Sequence, residues 1–325
     1  MSTLQFGIVP THLGFLDALV PDENGCLPRN SAGEMVVVAG TKQVLDASPV
    51  ALNAIQISAF GTTQPDETDE LLSTMRGLGL EPQLVMMVGE VNPMDPEDEE
   101  ATVAQLLTNL EAAARNNVRQ VNSTSIEAWM TDDAASSEED FHRRVEQNIK
   151  VHARAYREAN LADSSVENWN IEFLRPGEFA NFTSLERLRP IVHGLNEEVG
   201  TTFFKALVDA AHCGDSGLSI PENEALVAAL AADDELGPFH CSAKTTRGGF
   251  HTDDGWIGAL LAAAVRTGKL NQVFVELFRH DDPALEPLRA LDPNHGVDTT
   301  GGRSYCDLVV EGLVETRRRL DHLGL

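Results

Sequence analysis

The sequence is short of positive charge, of paired cysteine and of long apolar runs, and each shortage excludes something. Its 325 residues carry 24 Lys and Arg against 51 Asp and Glu, a formal net charge of −27. A field of that sign repels phosphate backbones and anionic bilayers. Nucleic acid and membrane surfaces are therefore not expected partners, and a neutral or cationic ligand or a metal ion is. The one basic cluster is Arg317, Arg318 and Arg319, and the remaining acidity reads most simply as a solubility device. The four cysteines, Cys26, Cys213, Cys241 and Cys306, form no CxxC pair and read as reduced thiols. No apolar run is long enough to span a bilayer, and the first residues, MSTLQFGIV, lack the basic start and cleavage site of a secretory signal. The expectation from these absences is a cytoplasmic protein. Low-complexity segments, linker-like shifts and solenoid repeats are missing too, so residues 1–325 are expected to form one domain.

What is present is alternation. β-prone runs at 6–9, 54–60, 83–88, 118–122, 169–173, 201–208, 237–241 and 272–278 are separated by helix-like stretches at 66–77, 101–116, 138–160, 184–199, 221–232, 254–266 and 304–323. Residues 20–33 are rich in turn formers and read as an insertion. Residues 34–45 are ambiguous, because MVVVAG is β-branched where the alternation calls for a helix. Eight strands alternating with about eight helices argue for a parallel α/β sheet, most commonly closed into a single (β/α)8 TIM barrel.

The chemistry concentrates in the second half. The run TTFFKALVDAAHCGDSG delivers Asp209 at the end of a strand and His212 three residues later. Three neighbouring runs also end in a metal-capable side chain: NWNIEF carries Glu172, ELGPFH ends in His240, and QVFVEL carries Glu276. In a barrel of this kind the C-terminal strand ends carry the active site. Any one of these residues alone reads as a surface or salt-bridge group. All four on consecutive strands read as one site for a single divalent ion. Three carboxylates and an imidazole suit Mn²⁺ first, with Mg²⁺, Co²⁺ or Zn²⁺ as alternatives, and do not resemble a thiolate-rich structural zinc site.

In these residues the chain resembles the xylose isomerase-like TIM-barrel superfamily, and within it the ketose 3-epimerases of the D-tagatose and D-psicose type. The resemblance is specific from about Trp169 to Phe278 and architectural elsewhere. It implies Glu172, Asp209, His240 and Glu276 as metal ligands, with Glu172 and Glu276 also the catalytic pair. One carboxylate would take a proton from the carbon beside a carbonyl and the other would return it on the opposite face, through an enediolate. The resemblance further implies His212, Glu178 in EFLRPGE and Arg247 in HCSAKTTRGG as substrate-binding residues, the last displaced by about one position. The family's proline directly after the first glutamate is absent here. The implied partner is a small-molecule sugar or keto-sugar, and a homo-oligomer is compatible because barrels of this family often pair.

Other residues are less decided. His12, after the first strand, faces the same end as the ligands, so a substrate-binding role stands beside a capping or packing one. His251, Asp253 and Asp254 could hold a second metal, but the two aspartates read better as the start of the following helix. His142, His152, His193, His295 and His322 are expected at the surface. His280 and Asp281 are close enough to Glu276 to line the mouth, and Phe250 and Trp256 read as packing residues. Residues 245–249 are the only phosphate-cradle candidate, a weak one. Alternative functions on the same barrel are a dehydratase or lyase of keto-sugars, inososes or C-glycosides. A non-catalytic sugar-binding barrel is a further one. An AP endonuclease is disfavoured, because no histidine lies between His12 and His142 to build a zinc cluster and the charge opposes DNA.

Overall fold

Strand residues of this chain alternate between two environments. Phe6 and Ile8, Ile55 and Ile57, Leu84 and Met86, and Val273 and Val275 belong to one continuous apolar core. The residues that alternate with them include Gln5, Gln56, Gln83 and Gln272, which hydrogen-bond to one another. A period of two that separates apolar from amide side chains fits strands with helices on one face and a closed interior on the other. In the computed structural model, which describes residues 4–13, 18–244, 249–297 and 302–325 apart from the side chains of His12 and His251, that is the architecture. The strands are β1 (Gln5–Val9), β2 (Ala54–Phe60), β3 (Glu81–Met87), β4 (Gln120–Ser123), β5 (Asn168–Ile171), β6 (Phe204–Asp209), β7 (Leu236–Cys241) and β8 (Gln272–Glu276). They pair in parallel in sequence order, and β8 pairs back onto β1 from Gln5–Gln272 to Val9–Glu276. The barrel is closed, so no strand edge is left open.

Among the described residues the helices are α1 (Val36–Ala47), α2 (Pro65–Gly77), α3 (Glu99–Arg115), α4 (Glu138–Glu158), α5 (Leu185–Val199), α6 (Ala210–Asp215), α7 (Ile220–Ala232), α8 (Trp256–Arg266), α9 (Glu286–Leu291) and α10 (Tyr305–Leu323). Their starts follow the sequence. Ser137, Ser184 and Ser304 accept the N–H three residues on, and Ser219 forms a capping box with Glu222. The ambiguous β-branched run is α1. Its Val37, Val38, Thr41 and Val44 share a buried face at helical spacing, and Gly40 leaves room for Leu13, which any side chain there would overlap. The turn-rich loop before it is tied to α2 by Arg29, which ion-pairs with Glu67 and Glu70. Among the described residues no helix is long and apolar enough to cross a membrane.

Candidate metal centre

The four sequence-selected ligands arrive from four consecutive strands. Asp209 and Glu276 are the last residues of β6 and β8, His240 is the last but one of β7, and Glu172 follows β5 directly. The Glu172 N–H donates to Ser123 O at 2.9 Å, which carries the β4–β5 ladder one step further. Asp209 and His240 are register partners just beyond a register shift between Ala206 and Val208. All four are buried, and one ligand atom from each lies within 4.8 Å of all the others. His240 Nδ1 is 3.3 Å from Glu276 Oε2, 3.8 Å from Glu172 Oε1 and 3.9 Å from Asp209 Oδ2.

Three buried carboxylates around one imidazole make a pocket of high negative charge. Burial alone lowers the pKa of His240, but the carboxylates of Glu276, Glu172 and Asp209 outweigh it and raise it to about 9. A proton thus serves as the counter-charge when no cation does. This donor set fits a hard divalent ion: oxygen-rich, with one borderline nitrogen and ligand atoms converging on one point. The nearby thiols do not compete. Burial, then the charges of Asp209 and Glu172, push Cys213 well up, and burial pushes Cys241 to about 12.

Asp209 does a second job. Its Oδ1 accepts the backbone N–H of His212 at 2.7 Å and so caps α6, a short helix that is not among the expected ones. His212 is fully buried on that helix. Its Nδ1 accepts the backbone N–H of Arg175 at 3.1 Å, which leaves the proton on Nε2, 3.6 Å from Glu172 Oε1. Glu178 is also buried. Its carboxylate accepts from Trp129 Nε1 at 3.3 Å and pairs with Arg175 Nε at 3.2 Å. His12 lies in the turn Thr11–Leu13 after β1, with its side chain outside the described residues. Arg247 and the rest of 245–248 are also outside them.

Other expectations change. His152 and His295 are buried rather than at the surface. His152 faces inward on α4 and bonds to Ser125 Oγ and Asn148 O, both at 2.9 Å. His295 reaches Arg175 Nη2 at 3.4 Å through its Nδ1. Asp253 takes the helix-start role: it accepts from Ile257 N at 3.1 Å and pairs with Arg319 at 3.0 Å. Phe250 and Trp256 are buried. Sequence reasoning missed Trp129, Arg175 and Glu127. Trp129 is an exposed aromatic beside Glu178 and Arg175 stands three residues before Glu178, whereas nothing local marks Glu127.

Fold and site together define a (β/α)8 barrel with a metal-capable acidic ring at its C-terminal end. Solved structures share this architecture end to end. D-allulose 3-epimerase from Methylomonas sp. superposes with a TM-score of 0.72 at 15% identity, covering 98% of this chain and 97% of the other. D-psicose 3-epimerase from Clostridium cellulolyticum H10, solved with D-tagatose, gives 0.67 at 14%, covering 97% and 98%. The IolI protein with a bound zinc atom gives 0.60 at 14%, covering 98% of each chain. No protein-family model matches the sequence, and no curated protein matches it significantly. At these identities the likeness establishes the fold, and the chemistry has to be argued from the site.

Proposed function

We propose that the protein is a divalent-metal-dependent isomerase or epimerase of a sugar or keto-sugar. The observation that carries this reading is the convergence of Glu172, Asp209, His240 and Glu276 on one buried point at the barrel mouth. These four would hold the ion, with Mn²⁺ the best match to three carboxylates and one imidazole. When bound, it would polarise a carbonyl and its neighbouring hydroxyl as a Lewis acid. Two of the similar proteins named above are 3-epimerases of D-allulose and D-psicose, the second solved with D-tagatose, and this supports the substrate class.

The division of labour follows from the side chains. Asp209 is fully buried and committed through Oδ1 to the start of α6, so it is a ligand only. Glu172 and Glu276 keep slight exposure, 7% and 6%, and come from β5 and β8, with β6 and β7 between them. They are the pair that takes a proton from the substrate carbon on one face and returns it on the other. His212 presents an N–H beside Glu172 and holds a substrate oxygen there. Glu178, with Arg247 and His12, fixes the remaining hydroxyls.

The test is deuterium exchange. Wild-type protein with Mn²⁺ and a panel of ketoses in D₂O incorporates deuterium at the carbon beside the carbonyl. Glu172→Gln and Glu276→Gln each lose that exchange by at least a hundredfold while unfolding within a few degrees of wild type. Exchange that survives in the double variant refutes the mechanism. Release of water or of an aglycone in place of an isomer would reassign the enzyme to the lyases.

A further inference from the structure

The interior of a (β/α)8 barrel is ordinarily filled by layers of branched apolar side chains. Here much of it is amide. His240 Nε2 lies 2.8 Å from Gln56 Oε1, Gln56 Nε2 donates to Gln83 Oε1 at 3.1 Å, and Gln83 Nε2 donates to Gln5 Oε1 at 2.8 Å and Gln272 Oε1 at 3.0 Å. Asn122 Nδ2 donates to the same Gln83 Oε1 at 3.2 Å. Gln56 and Gln83 are wholly buried. Buried amides cost free energy unless every donor meets an acceptor, so such a column stands only when its direction is consistent throughout.

That direction is set by a group that cannot flip. Asn122 Nδ2 also donates to the backbone carbonyl of Leu84 at 3.4 Å, and a carbonyl can only accept. Asn122 must therefore turn its NH₂ to Leu84 and Gln83. Gln83 must present its oxygen to Asn122 and to Gln56. Gln56 must donate downward, and so offers its own oxygen upward to His240. The only ring nitrogen that can meet an oxygen is a protonated one. The chain of constraints runs from a strand backbone, through three amides, to the ring of a candidate ligand.

We infer that Gln56 is a positioning residue for His240: it holds the proton on Nε2, so that Nδ1 is the nitrogen that faces Glu172, Asp209 and Glu276 and meets an ion. The inference rests on the proposed metal site, because the tautomer matters to function only if Nδ1 binds an ion. An imidazole ligand whose other nitrogen lacks its acceptor binds less tightly, typically by about 10–100-fold.

The experiment measures ion affinity and the tautomer, with no turnover involved. Mn²⁺ and Zn²⁺ dissociation constants are measured by titration for wild type, Gln56→Leu and Gln56→Glu. Nitrogen-15 spectra of the histidine rings are recorded on the Zn²⁺-loaded proteins, with unfolding curves of the metal-free proteins alongside. Gln56→Leu is expected to bind about 10–100-fold more weakly and to lose the protected Nε2–H signal of His240. Gln56→Glu keeps an acceptor facing His240 but sets its second oxygen against Gln83 Oε1, so it is expected to unfold more easily while binding within tenfold of wild type with that signal intact. If Gln56→Leu does not fold, Gln56→Glu decides: affinity tenfold below wild type, or a His240 bound through Nε2, overturns the inference. Equal affinity of wild type and a folded Gln56→Leu also overturns it and leaves the metal reading standing. Absence of any ion binding by wild type removes both.

Discussion

Glu127→Gln is the substitution whose consequences the structure defines most closely. Glu127 lies in the loop after β4, is 4% exposed, and serves as an anchor for the loop that carries Glu178. Its Oε1 accepts from Ala180 N at 2.9 Å and Asn181 Nδ2 at 2.7 Å, and its Oε2 accepts from Asn181 N and Phe182 N, each at 3.0 Å. Asn181 extends the knot, since its Oδ1 accepts from Ala135 N at 2.7 Å and its Nδ2 donates to Asp133 O at 2.8 Å. Glutamine keeps the shape but supplies one acceptor oxygen and one NH₂. With the oxygen on the Oε1 side, the NH₂ faces Phe182 N, donor against donor. The loss is one charge-assisted hydrogen bond, about 1.5–3 kcal/mol, plus one unsatisfied buried donor, about 1–3 kcal/mol. Some relaxation of the loop brings the expected total to about 3 kcal/mol, a large share of the roughly 5–15 kcal/mol that holds a domain together. Urea unfolding measures the global effect, and amide hydrogen exchange at residues 179–182 measures the local one. Because the loop bears Glu178, KM for any sugar substrate should rise with less change in kcat. A stability change under 1 kcal/mol together with unchanged protection at 179–182 would refute the reasoning.

Two further outcomes follow from the core. Burial lowers the His152 pKa to about 4, although its hydrogen bonds to Asn148 and Ser125 pull the other way. The unfolded chain therefore takes up this proton near pH 6.5 and the folded chain does not, so stability falls as pH drops from about 6.5 to about 4, by about 3 kcal/mol in total. His152→Gln should flatten that part of the curve in urea titrations at pH 7.5, 5.5 and 4.5, and an unchanged difference between wild type and variant across those pH values would contradict it. Gly237→Ala should cost about 1–3 kcal/mol by overpacking, because a Cβ there would sit 2.8 Å from the backbone oxygen of Ala206 and 3.1 Å from Asn170 Oδ1. A variant as stable as wild type would show that β7 can slide at that point.

The barrel and its ligand ring were legible in the sequence for one reason. A strand is nearly one-dimensional, so a β-prone run states both where a side chain stands and which end of the sheet it reaches. Glu172, Asp209, His240 and Glu276 needed no long-range information to be grouped. The β-branched start of α1 was illegible by propensity, because burial of Val37, Val38 and Val44 against the barrel overrides the strand preference of valine. The inward turn of His152 carried a readable signal that went unused. Phe141, Val145, Asn148, His152 and Tyr156 repeat at three and four residues and are all buried on α4. His295 and Glu127 carried none, since their side-chain partners lie 53–120 residues away and depend on loops folding over one another.

The polar interior bears on why the site stands where it does. An apolar barrel core would end abruptly at a ring of four ionisable ligands, and their outer atoms would have to find partners in hydrocarbon. Here the amides of β1 to β5 and β8 give one ligand, His240, an acceptor at its back. The same strands keep their outward faces mainly apolar against the helices. The cost of burying Gln56, Gln83 and Asn122 is offset only while every bond in the column is made, so the column tolerates few alternative packings. That intolerance is useful beneath a metal site, where a ligand displaced by a fraction of an ångström binds a different ion or none. On this reasoning, destabilisation caused by amide-to-apolar changes should grow with proximity to His240 for ion binding. For folding it should grow instead with the number of bonds lost, which is largest at Gln83.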